Sequence, residues 1–273
     1  IQLSIREVKA AVDKKPNDLI LYANQYLETD PYCANKMYAV GWASFNTEQW
    51  QNAIDAFEKN IALLNKFDRR SWIWSYLLLG RAYHEIGEHK KENKIYEEGL
   101  NTWPKAKYRI VYNQAICALS RGDSIEANQY FAEFKAWGEQ NGWNESDLLY
   151  WFGSAYVEVD NFEQAERLYR KALAINPEHS DVKNSLAYLL ISNDINIDEG
   201  MELIKSVLET DPDNGNYLHT YGMALYKQGE LIEAQEVLKN AWDLIPYYDH
   251  VIFLHIQEVE QALARPSPSS TSG

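Results

Sequence analysis

Pro177, Pro212 and Pro246 stand 35 and 34 residues apart, and the residues ahead of them recur with them. Gly153, Tyr156, Ala165, Tyr169 and Ala172 lead into Pro177; Gly222, Leu225, Ala234, Leu238 and Ala241 lead into Pro246. A fixed period of this length restricts the fold more than any composition can. Each unit is one supersecondary element that buries its apolar face only against its neighbours, so the units must stack. The period also moves the functional question from catalysis to a binding surface.

Carrying the pattern through the chain divides it into six units. Their small positions are Gly41, Gly80, Ala115, Gly153, Ala187 and Gly222, with partners at Ala53, Glu92, Ala127, Ala165, Gly200 and Ala234. Each unit reads as a first helix carrying the small residue and a turn, often marked by glycine (Gly87, Gly122, Gly229). A second helix then runs through Phe57, Tyr96, Phe131, Tyr169, Ile204 or Leu238. Small residues facing alanine allow two antiparallel helices to approach closely. The large residue four positions after the alanine shares its face and is expected to fill the space toward the next unit. Proline ends the second helix because it lacks an N–H and clashes with the preceding turn. Glu92 in place of alanine puts the close contact of the second unit in question.

The expected fold is all-α, a solenoid of antiparallel helix pairs, with units near 34–67, 73–106, 108–141, 146–179, 180–214 and 215–248. Ile5, Val8 and Val12 make residues 1–16 a lone amphipathic helix ended by Pro16. It matches the second helix of a unit whose first is absent, as expected for a piece of a longer polypeptide. A second short helical pattern covers 19–29. Residues 249–264 read as a capping helix, with Ile252, Ile256, Val259 and Leu263 on one face, and 265–273 as a disordered tail.

These residues resemble the tetratricopeptide repeat, whose run of leucine-glycine, tyrosine, alanine, phenylalanine, alanine and proline matches 153–177 closely. The resemblance covers roughly 34–247. The fourth and sixth units match best, and the fifth carries an extra residue around 193–198. Asn65 and Glu139 replace the proline in the first and third units. Asn184–Tyr188 and Tyr221–Tyr226 are most similar to bacterial members.

The resemblance implies a right-handed superhelical solenoid acting as a protein–protein interaction scaffold, whose first helices line a concave groove for a peptide or partner segment. Carried over position by position, the groove residues are Tyr38, Trp42, Phe45, Trp74, Arg81, Tyr112, Tyr150, Tyr188, His219 and Tyr226, with Leu77, His84, Ile116, Ser154, Asn184 and Met223 at the other inner positions. Rigid aromatics of this kind supply contact area at low entropic cost, which implies a ligand with apolar or aromatic anchors. The terminal-carboxylate clamp of some family members is missing: Tyr38, Trp42, Leu77 and Arg81 stand at its positions. Two alternatives stay open. One is a regulatory or assembly module of a larger enzyme or signalling protein; the other is self-association into a homo-oligomer.

A net charge of −14 and a pI near 4.9 argue against nucleic acid as partner, since a phosphate backbone needs a basic face. No apolar run approaches the roughly 18 residues of a membrane span. Cys33 and Cys117 are too far apart in a stacked array to form a disulfide, which fits a reducing compartment; the cytoplasm is favoured and the periplasm is the alternative. No metal site, cofactor or enzymatic activity is expected. His84 and His89 are five apart across the Gly87 turn, unlike the four-residue spacing of helical zinc pairs. Asp194, Asn196 and Asp198 resemble a calcium loop, but Glu199 and Lys205 stand where glycine and glutamate are needed.

Overall fold

The computed structural model describes residues 15–67, 69–246 and 249–265. Among them there is no strand. The helices are α1 (Pro16–Thr29), α2 (Ala34–Asn46), α3 (Trp50–Lys66), α4 (Ile73–Glu85), α5 (His89–Thr102), α6 (Lys107–Ser120) and α7 (Ser124–Gln140). They continue as α8 (Glu145–Val157), α9 (Phe162–Ile175), α10 (Ser180–Ser192), α11 (Ile197–Leu208), α12 (Gly215–Gln228), α13 (Leu231–Leu244) and α14 (His250–Ala264). Two compact units divide the chain at residue 142, the first holding α1–α7 and the second α8–α14. In the first, α1 packs on α2 and the pairs α2/α3, α4/α5 and α6/α7 follow. In the second, the pairs α8/α9, α10/α11 and α12/α13 stack and α14 packs on α13.

One contact recurs inside the pairs. A Cβ built on Gly41 would meet the Phe57 ring at 2.7 Å; on Gly80, Tyr96 at 2.3 Å; on Gly153, Tyr169 at 2.6 Å; on Gly222, Leu238 at 2.7 Å. The large residue of the second helix therefore sits directly over the small residue of its own first helix. The spacing had assigned it to the next unit, and the structure corrects this: the small residue is a seat for the large one. Tyr96 does both, since its hydroxyl also reaches Cys117 Sγ on α6 at 3.8 Å. Phe57, Tyr96 and Leu238 are fully buried. In the second pair, Glu92 is itself buried and Tyr96 still covers Gly80.

The turn inside each pair uses one residue in the left-handed region. Glycine fills it in three pairs (Gly87, Gly122, Gly229), whereas Glu48, Asp160 and Asp194 adopt φ of 57°, 57° and 54° in the others. Acidic side chains there carry a strain of about 1 kcal/mol that glycine avoids. Asp194, part of the calcium-like run, is such a turn residue, bonded by Lys227 Nζ at 2.8 Å, and Asn196 caps α11 through the Glu199 N–H. Side-chain caps favour the second unit. Asn144 with Asp147 forms a capping box on α8, and Asn161, Asn214 and Asp249 cap α9, α12 and α14.

At the amino end, the helix expected over 1–16 lies outside the described residues except for Lys15 and Pro16, and Pro16 opens α1. In α14, Ile252 and Val259 are buried, while Leu263, assigned to the same apolar face, is exposed. The tail beyond Arg265 is also outside the described residues.

The seat makes a testable claim. Gly153→Ala should cost about 1–3 kcal/mol by forcing the Tyr169 ring aside. Because the fifth pair joins Ala187 to Ile204, the penalty for alanine should fall by at least about 1 kcal/mol in a Tyr169→Ile background. Urea unfolding of the four-member cycle measures the coupling; strictly additive effects would contradict the seat.

Candidate partner-binding surfaces

First helices of the second unit, with the start of α14, enclose a cleft of about 430 Å³. Their inner faces are tied to one another. Tyr217 Oη on α12 donates to Asp181 on α10 at 3.1 Å, and Thr220 Oγ1 donates to Asn184 Oδ1 at 2.8 Å. His219 on α12 meets His255 on α14 through ring nitrogens 2.8 Å apart, with the two rings stacked. Tyr188 lies beside His219 (centroids 5.5 Å), and Tyr150 lies beside His179 (5.8 Å).

The cleft is polar and acidic. Glu158, Asp181 and Asp249 line it together with the amides of Asn184 and Asn216, and among the described residues no lysine or arginine does. Its histidines do not offset this charge. Burial, aided by the neighbouring His255, pushes the His219 imidazole down to about 3. Burial also lowers His255, against the pull of Glu258 and Asp249. The phenols stay protonated as donors: burial and then the Asp181 charge raise both Tyr150 and Tyr217, the latter to about 12.

Of the residues assigned to a groove, Tyr150, Tyr188 and His219 meet in this cleft, with Ser154 and Asn184. Tyr226 does not line it and packs against the core of α11–α13. Asp181, Asn216, Thr220 and Asp249 were missed, because attention to aromatic positions passes over the polar residues one turn away.

In the first unit the assigned residues separate into different roles. Trp42 packs against the core beside Leu19 and Ala43, and Phe45 stands edge-on to Trp50 of its own pair. Tyr112 lies against Phe134, and Arg81 is half-buried near Tyr96. Tyr38 lines a pocket of about 370 Å³ with Arg69, Arg70 and Trp72, its ring edge-on to Trp72 at 5.0 Å. Trp74 is exposed and capped by the Arg109 guanidinium at 5.2 Å, which also covers Tyr108, itself stacked on Trp137. This unit thus presents cations over aromatic rings, the second carboxylates and amides.

A family model described as tetratricopeptide repeat matches residues 156–220. The transcription activator GutR of Bacillus subtilis is 26% identical over 234 residues, taking in 82% of this chain and 24% of that protein. A TPR repeat-containing protein of Pseudomonas aeruginosa is 29% identical over 146 residues, 52% of this chain and 23% of its own length. The chain therefore spans about a quarter of the length of these curated relatives. Among solved structures, a tetratricopeptide repeat protein from Parabacteroides merdae aligns over 95% of this chain and 98% of its own, with a TM-score of 0.51 and 16% identity, a likeness of fold.

The histidine pair gives the second unit a pH dependence. An unfolded histidine titrates near 6.5, whereas folded His219 titrates near 3. Between these values the unfolded chain holds the extra proton, so stability falls as the pH drops through that window. The difference in unfolding free energy between pH 7 and pH 4.5 should shrink by about 1–2 kcal/mol in His219→Asn. Equal pH dependence in both proteins would place the acid sensitivity elsewhere.

Proposed function

We propose that this chain, a tetratricopeptide-repeat array of the kind whose fold implies a protein–protein interaction scaffold, binds through its second unit an extended peptide carrying a basic residue. The observation behind this reading is the acidic, amide-lined cleft of α8, α10, α12 and α14. An extended backbone presents unpaired N–H and C=O groups, and asparagine offers both a donor and an acceptor. The Asn184 carbonyl accepts from Thr220, which leaves its NH₂ available to a peptide carbonyl. A lysine or arginine of the ligand would meet Asp181 and Asp249 in a cleft that no lysine or arginine among the described residues lines. Tyr150 and Tyr188 would pack against its aliphatic stem. Aromatic contact remains part of the recognition, as the sequence implied, but hydrogen bonding and charge select the ligand. Arrays of this family are generally non-catalytic, and the proposed role is binding.

A second reading follows from the match of most of this chain to part of GutR. In it the array is a regulatory segment of a longer protein and its cleft holds a basic stretch of that protein. A full-length gene product with no further domain would dispose of it.

Fluorescence polarisation against short lysine- or arginine-containing peptides and their acidic counterparts tests the first reading. Asp249→Asn keeps the helix cap while removing a charge, and Asp181→Asn keeps an acceptor for Tyr217. The double variant should bind basic peptides about 10-fold more weakly, a loss of about 1.4 kcal/mol, with a shallower salt dependence. Preference for the acidic peptides, or affinity indifferent to the double variant, would sink it.

A further inference from the structure

The second helix pair departs from the others at one position. Where the aligned units carry Ala53, Ala127, Ala165, Gly200 and Ala234, it carries Glu92, only 1% exposed. A carboxylate at this depth must be paired, and the pairing here is specific. Glu92 Oε2 lies 3.0 Å from His84 Nδ1 and 3.0 Å from His89 Nδ1, while Oε1 receives Arg121 Nη1 at 3.2 Å.

The turn makes this convergence possible. His84 closes α4 and His89 opens α5, and the left-handed Gly87 between them folds the two rings to 5.3 Å. Spacing along one helix, the ground on which these histidines were set aside, does not apply across a turn. The five-residue separation brings both Nδ1 atoms to one carboxylate oxygen, and all three donor atoms lie within 4.8 Å of one another.

We propose that His84, His89 and Glu92 form a binding site for a divalent transition-metal ion, with Zn²⁺ the best match to two imidazoles and a carboxylate. Metal–nitrogen and metal–oxygen bonds of about 2.0–2.2 Å in a tetrahedral site set ligand–ligand edges of about 3.4 Å, within a few tenths of an ångström of the two 3.0 Å histidine–carboxylate distances. The surroundings suit such a site. His84 Nε2 lies 3.0 Å from Ser120 Oγ, whose hydroxyl can accept a hydrogen bond from Nε2–H when Nδ1 turns its lone pair to the metal. Arg121 holds the outer carboxylate oxygen and leaves Oε2 for the ion, and Arg121 is itself anchored by Glu126 at 2.7 Å. The His89 side chain is 44% exposed, which gives the ion a route from solvent and leaves a coordination position for water. Because Ser120 and Arg121 belong to the next helix pair, the ion would tie the α4–α5 turn to the end of α6.

Titration of the metal-free chain with Zn²⁺ in a calorimeter, and with Co²⁺ followed by its visible absorption, tests the site. One ion per chain is expected, with the intense visible bands of a low-symmetry Co²⁺ site and a raised unfolding temperature. His89→Ala removes a largely exposed ligand, and Glu92→Ala restores the residue of the aligned units; both should keep the helical circular dichroism and bind at least about 10-fold more weakly. No saturable binding at 100-fold excess of Zn²⁺ would overturn the proposal. So would binding unchanged in both variants, which would assign the ion to other histidines such as the His219–His255 pair.

Discussion

A large side chain seated on a small one sets the geometry of the helix pairs. Tyr96 on Gly80, Tyr169 on Gly153, Phe57 on Gly41 and Leu238 on Gly222 each place a second-helix residue where a Cβ on the first would collide. The contact acts in two ways: it brings the helix axes close, and it fills the gap so that no cavity is left. Once a pair is locked this way, its remaining apolar face has nowhere to go but onto the next pair. Stacking follows from the seat.

The same constraint separates structure from recognition. Seat residues are buried and interchangeable within limits of volume, so Ala187 with Ile204 can replace glycine with an aromatic. Residues a turn away on the first helices face the cleft and carry its chemistry. In the second unit these are carboxylates, amides and protonated phenols around a neutral histidine pair. In the first, the Arg109 guanidinium lies over Trp74 and Tyr108. Two units built by one packing rule thus offer different surfaces, and the acidity of the cleft exceeds what its histidines could offset because burial keeps them neutral.

Glu92 shows what happens when a polar group enters a packing position. Burying a carboxylate costs several kcal/mol unless partners compensate. Here two imidazoles and a guanidinium converge on it, and although burial works to raise its pKa, the hydrogen bonds of His84 and His89 bring it down to about 2. Sequence reading registered Glu92 as a defect in the pattern. In three dimensions it is the centre of a network joining two helix pairs.

Much of the fold was legible because helical periodicity and the 34-residue period are local or nearly local signals. Alternating small and large residues marked the pairs, and the apolar stripe over 249–264 marked the closing helix. Glu48, Asp160 and Asp194 as left-handed turn residues were not legible, since acidic residues are not the usual occupants of that conformation. Of the residues that line the cleft, Tyr150, Tyr188 and His219 could be placed by position in the repeat. Trp42, Phe45 and Tyr226 could not, because an aromatic ring at an inner position can turn toward the core as readily as toward a ligand. The sequence by itself determined that this chain is an all-helical array of stacked pairs, because each pair has an apolar face it must cover. Only the tertiary structure decided that His84, His89 and Glu92 meet, and that carboxylates and amides from α10, α12 and the ends of α8 and α14 share one cleft. Those groups are brought together by packing between helices, and no spacing along the chain records it.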